Sequence, residues 1–143
     1  MNIPEPNSPC PCCSGKNYSD CCGRYIGTKE IAPDAETVMR SRYTAYASGN
    51  IEHIAKTIPL LQRKHFDEAS ARQWSEGAKW LGLEVLGAKE HAQGKKARVE
   101  FKAKYEIEGE EVSHHEVAMF EKMHNRWLFI DSKIIEDKNL KKK

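Results

Sequence analysis

All five cysteines of this chain fall between positions 10 and 22, and the rest of the sequence has none. A disulfide framework would spread its thiols to staple distant segments, whereas a cluster this tight points to metal. The stretch reads Cys10-Pro11-Cys12-Cys13-Ser14-Gly15-Lys16-Asn17-Tyr18-Ser19-Asp20-Cys21-Cys22-Gly23. Zinc takes four ligands at tetrahedral corners, and two close pairs separated by a loop can supply them. Cys10 and Cys12 give one pair, Cys21 and Cys22 the other, and Ser14-Gly15 is a turn signal that lets the chain double back. So short a segment cannot bury a core, so bound metal would supply its folding energy, on the order of 10–16 kcal/mol for structural zinc in small modules. Spacing alone leaves redox or coincidental thiols open, and it leaves Cys13 as a competing fifth thiol.

The remainder is long enough to fold without metal. A chain of 143 residues fits one ordinary domain plus a small appendage. Its 39% hydrophobic and 31% charged residues read as soluble and globular, and a net charge of +2 is too small to imply a polyanionic partner. No apolar run approaches the roughly 18 residues that a membrane span needs. Met1–Pro6 has neither a basic start nor an apolar stretch, so no signal peptide and a cytoplasmic, reducing location are expected.

From Asp34 onward the texture is helical and then switches to strands. Ala35, Val38, Met39, Tyr43 and Tyr46 share one helix face, with Asp34 as cap and Gly49 as stop. Ile51, Ile54, Ala55 and Ile58 predict a second helix between Asn50 and Pro59, and Asp67–Lys79 a third. Alternation then takes over. Leu81, Leu83 and Val85 open a first strand; in the second, Ala97, Val99, Phe101, Ala103, Tyr105 and Ile107 face one way, against Arg98, Glu100, Lys102, Lys104 and Glu106. Two further strands are expected at about 111–122 and 126–135, and the lysine tail (Lys138, Lys141–Lys143) is expected to fray. Helices first and a strand meander last predict an α+β fold with about three helices on the concave face of a curved four-stranded antiparallel sheet.

The cysteine stretch resembles the SEC-C motif, the zinc-binding module best known from the SecA protein-translocation ATPase. Cys10, Cys12, Ser14, Gly15, Lys16, Tyr18, Cys21, Cys22 and Gly23 match that pattern in place, which implies Cys10, Cys12, Cys21 and Cys22 as the ligands of a structural Zn2+. Cys13 stands where the motif usually has glycine, which argues against it as a ligand. Lys16 and Arg24 are candidates to offset the charge of a tetrathiolate. Met39–Tyr46, His115-Glu116, Arg126-Trp127 and Asp131 extend the resemblance to the YchJ-like family. In that family a SEC-C motif precedes a domain similar to nuclear transport factor two, the cystatin-like cone. The implied layout is a zinc module over residues 1–27 and a cone over 28–143.

The resemblance implies no established activity. Cone folds often hold a pocket between helices and sheet, and its candidates here are Arg42, His115, Glu116, Trp127 and Asp131. Each has a structural alternative: Arg42 can pair with Glu116 or Asp131, tryptophans are more often core, and adjacent His114 and His115 must face opposite ways. His53, His65, His91 and His124 read as solvated. No nucleophile–base pair stands out by spacing, so catalysis is not the favoured reading. The favoured one is an interaction or adaptor protein with an unidentified protein partner, linked by resemblance to translocation, ribosome or chaperone contact. A small-molecule binder or enzyme using the cone is the alternative. Weak nucleic-acid binding through the zinc module and the lysine tail Lys141–Lys143 is a third and least favoured alternative, because the domain lacks a basic stripe interleaved with aromatics.

Overall fold

The computed structural model describes residues 3–135, so the lysine tail lies outside the described residues. Four helices precede four strands: α1 (Ala35–Ser48), α2 (Ile51–Lys56), α3 (Leu60–Arg63), α4 (Glu68–Gly77), β1 (Lys79–His91), β2 (Lys96–Ile107), β3 (Glu110–Met123) and β4 (Arg126–Ile134). Asp34 Oδ1 accepts the Thr37 N–H at 2.8 Å, and Gly49 takes the left-handed φ of 80° that closes α1. Asn50 and Asp67 cap α2 and α4 in the same way. The single turn α3 is too short to show periodicity, and α4 stops before Lys79 because that residue already pairs in β1.

The strands form an antiparallel meander, β1-β2-β3-β4. Ala97, Val99, Phe101, Ala103 and Tyr105 of β2 are all buried, as their alternation requires. β1 follows a less regular rule. Its pairing shifts between Trp80 and Gly82 and again between Val85 and Gly87, leaving Leu81 and Leu86 as extra residues. Each bulge flips the facing of the residues after it, so Trp80 pairs with Tyr105 and Leu83 with Ala103 on the inner face, while Leu81 and Leu86 remain exposed. β4 has a similar shift: Phe120 pairs with Phe129 but Met119 with Asp131, which leaves Ile130 extra.

Helix α1 lies across the concave face, and the cysteine segment packs against it. One contiguous core contains Cys10, Cys12, Cys22 and Ile26 together with Val38, Met39, Ala45, Val99, Phe120 and Trp127. The lead-in is tied down as well: Ser8 and Pro6 carbonyls accept the N–H groups of Tyr18 (2.8 Å) and Ser19 (3.0 Å), and Pro9 bridges Asn17. The module is therefore a docked part of the fold and not a knob on a loose tether. Among the described residues no helix is long and apolar enough to cross a membrane.

Candidate functional site

The sulfurs of Cys10, Cys12, Cys21 and Cys22 all lie within 4.8 Å of one another. A tetrahedron with metal–sulfur bonds of about 2.3 Å has edges of about 3.8 Å, and Cys12 Sγ to Cys21 Sγ is 3.6 Å. Two short 3-10 turns, Tyr18–Asp20 and Cys22–Arg24, bring the second pair back onto the first. Gly23 makes this possible: a Cβ there would sit 2.7 Å from the Tyr18 carbonyl oxygen and 2.9 Å from its ring. Cys13 adopts φ 65°, the left-handed region that favours glycine, and its exposed sulfur turns away toward the Pro11 carbonyl at 3.6 Å.

Each of the four sulfurs also meets a polar group outside the set. Ser14 Oγ lies 3.1 Å from Cys21 Sγ, Thr44 Oγ1 lies 3.3 Å from Cys22 Sγ and 3.7 Å from Cys10 Sγ, and Arg40 Nη1 lies 3.8 Å from Cys12 Sγ. Arg40 also donates to the Cys12 carbonyl at 2.9 Å. Such contacts orient thiolates and spread their charge. Without a cation the crowded thiols cannot all ionise: hydrogen bonding to Cys10 raises Cys12 to about 11 and raises Cys22 too, while Cys10 is lowered by bonds from both. The donor set, its spacing and these contacts fit a tetrathiolate ion such as Zn2+, with no fifth position for water.

The cations that offset this charge are not those expected from sequence proximity. Arg24 pairs with Glu30 on the surface, and Lys16 is exposed. Arg40 takes the role from α1, beyond the module, and Thr44 of the same helix adds a neutral hydroxyl donor. Both lie in Met39–Tyr46, which the sequence marks as a motif without saying which side chains turn toward the sulfurs.

A separate cavity of about 240 Å³ opens between α1, α4 and the sheet, lined in part by Arg42, Tyr46, Trp74, His114, Glu116 and Phe129. Of the five pocket candidates it contains Arg42 and Glu116. Among the described residues Arg42 forms no ion pair. It donates through Nη1 to Thr57 Oγ1 at 2.6 Å and the Ile54 carbonyl at 3.4 Å, and its guanidinium lies 4.1 Å from the centre of the Phe129 ring. Burial lowers it to about 10, which leaves it charged at neutral pH.

The other three candidates lie elsewhere. His115 pairs across the sheet with Lys102, on the outer face, and its Nε2 is 2.7 Å from Glu100 Oε2. His114, opposite buried Ala103, is the histidine that faces inward; it bonds Glu116 through Nε2, and its Nδ1 lies 3.4 Å from Tyr105 Oη. Asp131 is exposed because the extra residue Ile130 reverses the facing, turning Ser132 inward in its place. Trp127 is core, 4% exposed, beside a smaller cavity of about 90 Å³.

That smaller cavity also holds a pair the sequence does not suggest. His53, expected to be solvated, is buried with Nε2 2.9 Å from Ser41 Oγ. The Ser41 hydroxyl donates to the Val38 carbonyl at 2.8 Å, so the imidazole must donate to Ser41 and cannot act as its base. The pair is a satisfied core contact.

Two family models match the chain: the SEC-C motif over residues 7–24, and the middle, NTF2-like domain of YchJ over residues 34–132. A UPF0225 protein of Geobacter sulfurreducens is 41% identical over 126 residues, covering 85% of this chain and 76% of that protein. The solution structure of a SEC-C motif containing protein from Rhodopseudomonas palustris matches with a TM-score of 0.82 at 38% identity, over 95% of this chain and 100% of that one. The crystal structure of a SEC-C motif containing protein from Psychrobacter arcticus matches with a TM-score of 0.78 at 29% identity, over 90% of this chain and 83% of that one. Matched along both of its parts, the chain belongs to the YchJ family of UPF0225 proteins, in which a SEC-C motif is followed by an NTF2-like domain.

Proposed function

We propose that this chain is a zinc-braced binding protein in which Cys10, Cys12, Cys21 and Cys22 hold one structural Zn2+ and the cone cavity receives the ligand. The observation that carries this reading is the double use of α1. Thr44 and Arg40 turn to the sulfur cluster, while Arg42 of the same helix turns into the cavity. Metal in the module would fix the helix that forms the cavity wall. The module then spans residues 1–27 and the cone 28–143, with Gly27 at φ 75° as the turn between them. Metal analysis of protein purified without added zinc is the test. One zinc per chain, lost in the Cys21→Ser, Cys22→Ser double variant together with ordered α1 signals, supports the reading; zinc-free protein with an unchanged fold defeats it.

A second reading, an adaptor that contacts a protein partner through the module, draws on the exposed loop Gly15, Lys16 and Asn17, which points away from the core. Its test is capture of a ribosomal or chaperone partner that is lost in Lys16→Glu while zinc content stays at one. Equal recovery by that variant counts against it.

A further inference from the structure

We propose that the cone cavity is a site for a small monocarboxylic acid with an aromatic or apolar body, its carboxylate seated on the Arg42 guanidinium. This rests on the reading of the cavity as the working site and names its ligand class.

Arg42 is 8% exposed, yet only Nη1 of its guanidinium has acceptors among the described residues. A guanidinium presents five N–H donors in a planar fork suited to a carboxylate. No fully buried side-chain nitrogen or oxygen lacks a partner among the described residues, so Nε and Nη2 open on the cavity that Arg42 lines. A purely structural arginine at this depth would be expected to have its remaining donors satisfied by carbonyls or a carboxylate. Here the neighbouring carboxylate, Glu116, is bonded to His114 instead.

The walls select the rest of the molecule. Tyr46, Trp74, Trp80 and Tyr105 pack on one another with ring centres 5.0–5.9 Å apart and close one side of the cavity. They offer faces and edges to a flat apolar body. A volume of about 240 Å³ lies just below the roughly 300–1,000 Å³ of drug-sized pockets, which favours a small metabolite. Phosphate fits poorly: one guanidinium cannot satisfy its oxygens, and Glu116 in the same cavity repels a second negative charge.

The test uses full-length zinc-loaded protein with labelled methionine and alanine methyl groups, titrated with phenylacetate, its neutral amide phenylacetamide, or inorganic phosphate. Phenylacetate is expected to shift Met39 and Ala103, which line the cavity, and to leave Met119 on the outer face unmoved. It should bind at least tenfold more tightly than the amide, and phosphate should produce no such shifts. Arg42→Gln should erase the preference for acid over amide. Should that variant fail to fold, Glu116→Gln serves, and it should tighten phenylacetate severalfold by removing the opposing charge. Equal binding of acid and amide, phosphate shifts of the same size, or no saturable shift at millimolar phenylacetate would each overturn the assignment. Zinc content of the same sample separates the two levels: a metal-loaded protein that ignores the acid sinks the ligand class and leaves the zinc brace standing.

Discussion

Thr44 Oγ1 stands 3.3 Å from Cys22 Sγ, so a fully buried hydroxyl in the middle of α1 touches the cysteine cluster from outside the motif. Its back is to the cone and its proton to the sulfurs. The helix and the module are therefore one mechanical unit, and substitutions on either should be felt by the other.

Thr44→Val keeps the shape and removes the donor. Losing a contact of this kind costs metal sites about 10–100-fold in affinity, and chelator competition should read a loss in that range. Unchanged competition curves would show that Thr44 only fills space.

Chelation of the zinc should unfold the module and loosen α1 before it dissolves the sheet, because Val99, Phe101 and Phe120, which share one core with Cys10, Cys12 and Cys22, are also held by the β2–β3 pairing. Thermal melting should fall on adding a strong chelator and recover with Zn2+. Amide exchange should accelerate in residues 10–26 and along α1 before it does in β2 and β3.

Cys13→Gly should retain zinc and raise stability by about 1 kcal/mol, since glycine adopts a positive φ without the Cβ penalty. A fall in zinc content would reinstate Cys13 as a ligand. Gly23→Ala should do the reverse, because its Cβ would press on the Tyr18 backbone at 2.7 Å. Metal release from that variant should be faster than from the parent.

His53 gives a pH signature. Burial, with Arg42 and Lys56 adding to it, lowers its pKa to about 4, against an ordinary value of about 6.5. The unfolded chain therefore takes up the proton first as pH falls. The stability tied to neutral His53 is complete above about 6.5 and is lost toward about 4, on the order of 3 kcal/mol in all. Denaturation of His53→Gln at several pH values across that window should give a shallower decline than the parent. Parallel slopes would refute the assignment, and acid loss of zinc is common to both proteins.

Much of this was legible in the sequence. The caps Asp34 and Asn50 and the alternation of β2 follow from local patterns, whereas the set Cys10, Cys12, Cys21 and Cys22, to the exclusion of Cys13, rests on the resemblance to the SEC-C motif. The pocket was harder. Strict alternation puts Trp127 and Asp131 on one face, but the extra residue Ile130 breaks the count. His114 could have been preferred to His115, because it shares the facing of buried Ala118 and Phe120. Apolar Val117 and Met119 on the other side of β3 mask that parity. Arg40 and Thr44 were beyond reach, since nothing local to α1 announces that the cysteines fold back onto it.

The reach from residue 22 to residue 44 also sets an order of events during synthesis. The thiols leave the ribosome first, but the hydroxyl that steadies two of them follows a further 22 residues later (44 − 22). An early fragment would hold a metal ion only loosely, and the grip would tighten when the helix arrives, so a bound ion would act as a latch that closes behind the growing domain.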